Sequence, residues 1–229
     1  MGIGGVPGQV NRHEKSWLIL ASVFVASLVV CNLIARKFIW LDWGMGPVLL
    51  SVGALPYPIT FLVTDLLSEV HGRKKANMVV WAGFVALVFV LGVLWLGSIF
   101  PAAQDSPLDT ATYEAAFQGA WKVVAASLVA YLCAQLVDIR LFHFWKRLTR
   151  GRHLWLRNNA STVVSQFLDS ALVVGVLFAG EKPLNWMIPT ILGLWGFKAL
   201  VALADTPLLY LGTWAHRKWA GPHPAELDA

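Results

Sequence analysis

From Ser16 to Ala35 the chain carries no charged residue, and from Asn77 to Phe100 it again carries none. At about 1.5 Å per helical residue, either run can cross a hydrocarbon layer of roughly 30 Å. A segment in lipid must satisfy its own backbone N–H and C=O groups, so such runs can only be helices. Composition agrees. Of 229 residues, 57% are hydrophobic and 14% charged, whereas soluble domains carry about a quarter charged residues. The mean hydropathy is +0.62. The chain is therefore expected to be an all-α integral membrane protein. The first run sits where a signal-peptide core would, but it is about 20 residues long and no small-residue cleavage pattern follows it, so it reads as a retained span.

Six spans are expected, near 16–35, 44–72, 77–100, 121–142, 158–180 and 186–211. They form one transmembrane unit over 16–214, between a tail at 1–15 and a tail at 215–229, with no linker long enough to divide it. Pro56 and Pro58 fall near the middle of the second span, which predicts a kinked or broken helix there. Arg36, Lys37, Asp42, Trp40 and Trp43 mark an interface. With six spans both termini share a side. That side holds thirteen Lys and Arg and the other only Arg36, Lys37, Lys122 and Lys182, which places both termini in the cytoplasm. The net charge of +5 thus reads as a topology signal at an anionic membrane, not as a nucleic-acid surface. Cys31 and Cys133 lie inside apolar runs and read as packing residues.

The informative residues are polar ones at membrane depth, where acids are costly. Asp65 and Glu69 lie four apart, on one helical face. Both could be interfacial, capped by Arg73 and Lys74, or they could bind a ligand N–H or a coupling proton. Ser127, Tyr131, Gln135 and Asp138 share a face of the fourth span. Asn158, Thr162, Ser165, Gln166 and Asp169 form a stripe on the fifth. The sixth carries Trp195, Lys198 near its centre, and Asp205 two turns later. Asn32 sits near the end of the first. Asp169 is half-way along its span, so it either pairs with Lys198 or contacts a ligand. One lysine cannot neutralise Asp65, Asp138, Asp169 and Asp205 together, so at least one acid must be protonated, paired with Arg140 or wet. Taken singly, Gln135, Gln166, Asn158 and Asn159 read as interhelical glue. As a set with the acids they suit a flat heterocycle with alternating donors and acceptors, and Tyr57, Phe61, Tyr131 and Trp195 could stack on it.

Catalytic constellations are absent: there is no Gly-x-Ser-x-Gly, no phosphate-binding Gly loop and no His-Glu-x-x-His. The six histidines lie in tails or at span ends, which gives no support to a metal site or a Ser/His dyad within the membrane. An intramembrane aspartyl enzyme using Asp65 and Asp169 stays open without positive support.

The pattern Pro58-Ile59-Thr60-Phe61-Leu62-x-x-Asp65-x-x-x-Glu69-x-x-Gly72-Arg73-Lys74 resembles the queuosine-precursor transporter family, also called the VUT or vitamin uptake transporter family. Ala134-Gln135-x-x-Asp138, Trp155-Leu156-Arg157-Asn158-Asn159-x-Ser161-Thr162, Ser165-Gln166-x-x-Asp169, Lys198 and Asp205-Thr206-Pro207 extend the likeness over nearly the whole chain. His71 departs from it, standing where an aromatic is expected. The resemblance implies uptake of a 7-deazaguanine, the 7-cyano or 7-aminomethyl form, across a bacterial inner membrane. It implies no cofactor and no nucleic-acid partner, and leaves a homodimer open. A carboxylate can accept a guanine-like N1–H and exocyclic amine together, and a glutamine amide can meet the O6 edge. Asp169 and Gln166 are the leading candidates for base recognition, followed by Asp65, Gln135 and Asp138. Asn158, Ser165, Lys198, Asp205, Glu69, Trp195, Phe61 and Asn32 complete the candidate lining. The alternative is a substrate-capture subunit of an energised multi-subunit importer.

Overall fold

The computed structural model describes residues 12–35, 37–42, 47–117 and 121–221. Most of both tails, together with Arg36 and Trp43, lies outside the described residues. Seven helices and one hairpin follow in order: α1 (Arg12–Leu33), β1 (Phe38–Asp42), β2 (Pro47–Ser51), α2 (Tyr57–Val70), α3 (Gly72–Ile99), α4 (Thr110–Phe117), α5 (Trp121–Leu148), α6 (Leu154–Phe178) and α7 (Leu184–Ala220). A single 3-10 turn, Val52–Ala54, joins β2 to α2. The all-helical expectation holds for the body of the molecule. Among the described residues, five helices, α1, α3, α5, α6 and α7, are long and apolar enough to cross a membrane.

The expected second span is where the structure differs most. No helix runs from Gly44 to Gly72. β1 and β2 pair antiparallel, with Phe38 opposite Ser51 and Asp42 opposite Pro47, and α2 follows with only 14 residues, about 21 Å. The prolines explain the boundary. Pro56 is the N-cap of α2 and Pro58 stands in its first turn, where a missing N–H costs nothing. They start a helix instead of kinking one. α2 ends at His71, and Gly72, at φ +81°, turns the chain into α3. α2 nonetheless returns the chain along α1. His71 at its end lies against Ser16 near the start of α1, while Gly53 before its start abuts Cys31 and Ala35 near the end of α1.

The packed interior is narrow. Phe24 and Leu28 of α1, Val63 and Leu67 of α2, Ala76, Val79, Val80 and Leu87 of α3, and Tyr131 and Ile139 of α5 form one buried cluster. α3 buries a stripe, Ala76, Val79, Val80, Gly83 and Leu87, at spacings of one helical face. Elsewhere it is apolar on all sides, with Phe89 69% and Trp95 48% exposed. Lipid carries that surface without penalty, so helix association relies on close packing and polar contacts instead of water exclusion. Gly83 shows the closeness: a Cβ there would sit 2.7 Å from Phe24 Cε1 and 3.0 Å from the Tyr131 hydroxyl.

α6 packs between α5 and α7, and α2 packs against α1, α3, α5 and α7. The polar stripes of α2, α5, α6 and α7 therefore converge. At 37 residues, about 55 Å, α7 is longer than the hydrocarbon layer is thick.

Candidate functional site

α6 brings Asp169 to the centre of this convergence. The Lys198 ammonium of α7 pairs with Asp169 Oδ2. The Tyr57 hydroxyl, at the first residue of α2, donates to Asp169 Oδ1 at 3.2 Å. Lys198 Nζ also stands 5.2 Å from the centre of the Tyr57 ring, within cation–π reach. Both carboxylate oxygens are thus engaged, by one cation and one neutral donor. Phe61 packs edge-on to Tyr57, with ring centres 5.5 Å apart.

Two cavities meet at this cluster. The larger, of about 140 Å³, opens on the hairpin side. Its walls include Asn32 of α1, Ser51 and Gly53 from the hairpin and its turn, Tyr57, Ser127 and Tyr131 of α5, and Asp169. The smaller, of about 10 Å³, has room for roughly one water. It lies on the other side of the cluster, between α2, α6 and α7, and its polar wall is Asp65, Asn158, Thr162, Gln166, Lys198 and Asp205. Pro58 and Phe61 form part of its apolar side. Lys198 lines both cavities. Gln166 is 2% exposed and its Oε1 accepts no hydrogen bond, so a buried acceptor is waiting for a donor.

The sequence-predicted residues separate into those at a cavity wall and those behind it. Asp169, Gln166, Asp65, Asn158, Lys198, Asp205, Phe61 and Asn32 line one of the two spaces. Gln135 does not: it is fully buried, donating to Thr60 Oγ1 at 3.2 Å and accepting from Thr64 Oγ1 at 3.1 Å, which ties α5 to α2. Asp138 sits behind Asp65 and accepts from Ser165 Oγ at 2.9 Å, while Arg140 is exposed. Trp195 donates to the Val163 carbonyl at 2.9 Å and packs edge-on to Phe167 at 5.8 Å, joining α7 to α6. Glu69 lies at the far end. Its carboxylate is 7% exposed and meets Arg157 at 2.6 Å, Lys146 at 3.1 Å and Arg217 at 3.9 Å. Its neighbours are these, not Arg73 and Lys74. The cavity walls also include Ser51 and Gly53, which spacing could not reveal, because the hairpin and its turn carry no helical period, and Cys31 of α1, which reads from sequence as a packing residue. Tyr57 is readable from sequence only as one aromatic among many.

A family model described as "Putative vitamin uptake transporter" matches residues 51–212, the stretch from the end of β2 through most of α7. The chain is 30% identical over 161 residues to "Probable queuosine precursor transporter" of Bacillus subtilis (strain 168), covering 70% of each protein. It is 25% identical over 126 residues to "Queuosine precursor transporter" of Escherichia coli (strain K12), covering 55% of this chain and 54% of that protein. A Haemophilus influenzae relative, named "Probable queuosine precursor transporter", is 26% identical over 129 residues, covering 55% and 51%. These last two matches span about half the length of those relatives. No solved structure matches the chain. With a buried polar site among membrane-length helices and a family match over most of its length, this chain belongs to the vitamin uptake transporter family, a family of transporters and not of enzymes.

Proposed function

We propose that this protein imports a queuosine precursor, a 7-deazaguanine base in its 7-cyano or 7-aminomethyl form, across a bacterial inner membrane. The names of its relatives support the substrate class. The observation that carries the reading is the Asp169–Lys198–Tyr57 cluster, standing between a cavity of about 140 Å³ and one of about 10 Å³. A base entering the larger cavity presents an N1–H and an exocyclic amine to the Asp169 carboxylate. Those donors compete with Tyr57 and Lys198 for the same two oxygens. Releasing Lys198 opens the way to the smaller cavity, where Gln166 Oε1, Asp65 and Asn158 offer the next polar contacts. In this mechanism the base loosens the barrier by replacing the contacts that hold it shut. This gives the substrate differential affinity for the two states, as any ligand-driven change requires.

In this reading α2 and the hairpin together make the sixth crossing. The 14 residues of α2 supply about 21 Å, and the strands, at about 3.3 Å per residue, make up the remainder. Both termini then share the end that carries Lys146, Arg157 and Arg217, which the positive-inside rule places in the cytoplasm.

The test is uptake of labelled 7-deazaguanine precursor by cells that cannot synthesise their own. Asp169→Asn and Gln166→Ala should each insert normally and lower uptake at least tenfold. Full-rate uptake by both variants would refute the site. Transport by the purified chain alone in liposomes would exclude a role confined to substrate capture for other subunits.

A further inference from the structure

Behind the smaller cavity two buried acids are held side by side on α6, and among the described residues neither forms an ion pair. Asp65 of α2 is 1% exposed and Asp138 of α5 is fully buried. Both bond to the same face of α6, at hydroxyls one helical turn apart. Each uses one oxygen to accept from a hydroxyl of α6: Thr162 Oγ1 donates to Asp65 Oδ2 at 3.2 Å, and Ser165 Oγ donates to Asp138 Oδ1 at 2.9 Å. The other two oxygens, Asp65 Oδ1 and Asp138 Oδ2, have no donor. Two ionised carboxylates cannot face each other in this way in a dry site, whereas a carboxyl and a carboxylate sharing one proton can. The surrounding charges do not substitute for that proton. Arg157 of α6 is near enough to Asp65 to act on it through space, but its guanidinium is bound to Glu69, one turn along α2. On α7, Lys198 is bound to Asp169, and Asp205 adds a further acid at the cavity wall. The basic residues at the start of α3, Arg73 and Lys74, are exposed.

A second observation gives the pair an outlet. Asp65 lines the smaller cavity, and so does Gln166, whose buried Oε1 lacks a donor. Asp138 does not reach the cavity wall. One carboxyl therefore faces the transport path and the other is screened from it.

Resting on the transport reading above, we infer that Asp65 and Asp138 form the coupling site of the carrier, and that the coupling ion is a proton which moves inward with the base. A metal cation fits less well. The hydroxyls nearest the pair donate to it, and among the described residues no group of three or more His, Cys, Asp or Glu side chains is arranged to hold a metal ion. Asp138 holds the proton store, and Asp65 exposes it to the cavity when the site is occupied.

The experiment uses the full chain in liposomes with labelled 7-cyano-7-deazaguanine, a neutral probe. Exchange of internal for external base, without any gradient, reports the carrier. Net accumulation under an imposed pH gradient, acid outside, reports coupling. One pH unit should sustain accumulation of up to about tenfold for one proton per base, and a pH dye inside the vesicles should report acidification when base is added outside. Asp138→Asn should keep exchange within about threefold of the unaltered protein, while accumulation falls below about twofold. If the unaltered protein exchanges base but accumulates it equally with and without the pH gradient, or accumulates it on a sodium gradient alone, the inference is overturned and the carrier reading stands. If it does not exchange base at all, the carrier reading fails and takes the inference with it. Accumulation by Asp138→Asn at the unaltered level would also overturn the inference. The dye measurement on the unaltered protein decides whether a proton moves with the base; if Asp138→Asn does not fold, Asp138→Ala is read in its place, and accumulation by it at the unaltered level overturns the assignment to this pair.

Discussion

Arg157 is only 2% exposed, yet it carries a full charge at the end of the bundle. Its guanidinium meets Glu69 at 2.6 Å and donates to the Gly151 carbonyl at 2.8 Å. Buried pairs of this kind hold little net energy, but losing one member strands the other. Glu69→Gln should therefore lower stability by about 3–5 kcal/mol, read as an earlier thermal transition in detergent. Adding Arg157→Met should restore much of it, because the stranded charge goes too. The residue scale is also where sequence reading has its clearest limit. Spacing places Asp169, Gln166, Asn158 and Thr162 on one face of α6, and there they are. Spacing cannot say whether an amide on a polar face reaches open space. Gln166 does, while Gln135, equally well placed in sequence, is taken up by Thr60 and Thr64. The difference lies in what the opposing helix offers, which a single element's pattern does not encode.

At the scale of elements, the hairpin and α2 are the part of the chain that periodicity misread. The run around 44–56 is apolar enough for a span, but Pro47–Ser51 within it pairs with β1, and the chain then turns at Ser51, whose hydroxyl accepts from Gly53 N–H at 3.2 Å. Gly53 is the tight point. A Cβ there would run into the Cys31 carbonyl and lie 3.1 Å from the Ala35 Cα. Gly53→Ala should push the turn off α1 and displace Tyr57, four residues on. The expected cost is about 1–3 kcal/mol, with a fall in uptake larger than the loss of folded protein, measured on the same membranes. The short α4 has a simpler dependence. Asp109 caps it, accepting from the Thr112 N–H at 2.7 Å, and the Thr112 side chain and amide hold its carboxyl below the usual range. A depressed value means that the cap acts above the unfolded pKa and is lost as pH falls through the folded one. The protection of the amides over Thr110–Phe117, relative to their intrinsic exchange at each pH, should therefore fall in acid, and Asp109→Ala should lower it already at neutral pH. The long helices were legible in sequence because lipid demands an unbroken apolar run. The hairpin was not, because strand pairing is a contact between two segments.

For the molecule as a whole, the proposed topology assigns Leu148, 63% exposed at the end of α5, to the cytoplasm, and Leu108, 38% exposed before α4, to the outside. In a chain freed of Cys31 and Cys133, Leu108→Cys should react with a membrane-impermeant maleimide on intact cells, and Leu148→Cys only after lysis. The reverse pattern would invert the protein. The Asp169–Lys198 pair has one more consequence at this scale. Acid and ammonium cancel, so the barrier between the cavities carries no net charge through a cycle. If a neutral base then travels with one proton, each turnover is electrogenic, moving a single positive charge toward the negative interior. At 100 mV that is worth about 2.3 kcal/mol, on the order of fifty-fold in accumulation. A potassium diffusion potential, imposed at equal pH on both sides, should load vesicles with base by voltage alone.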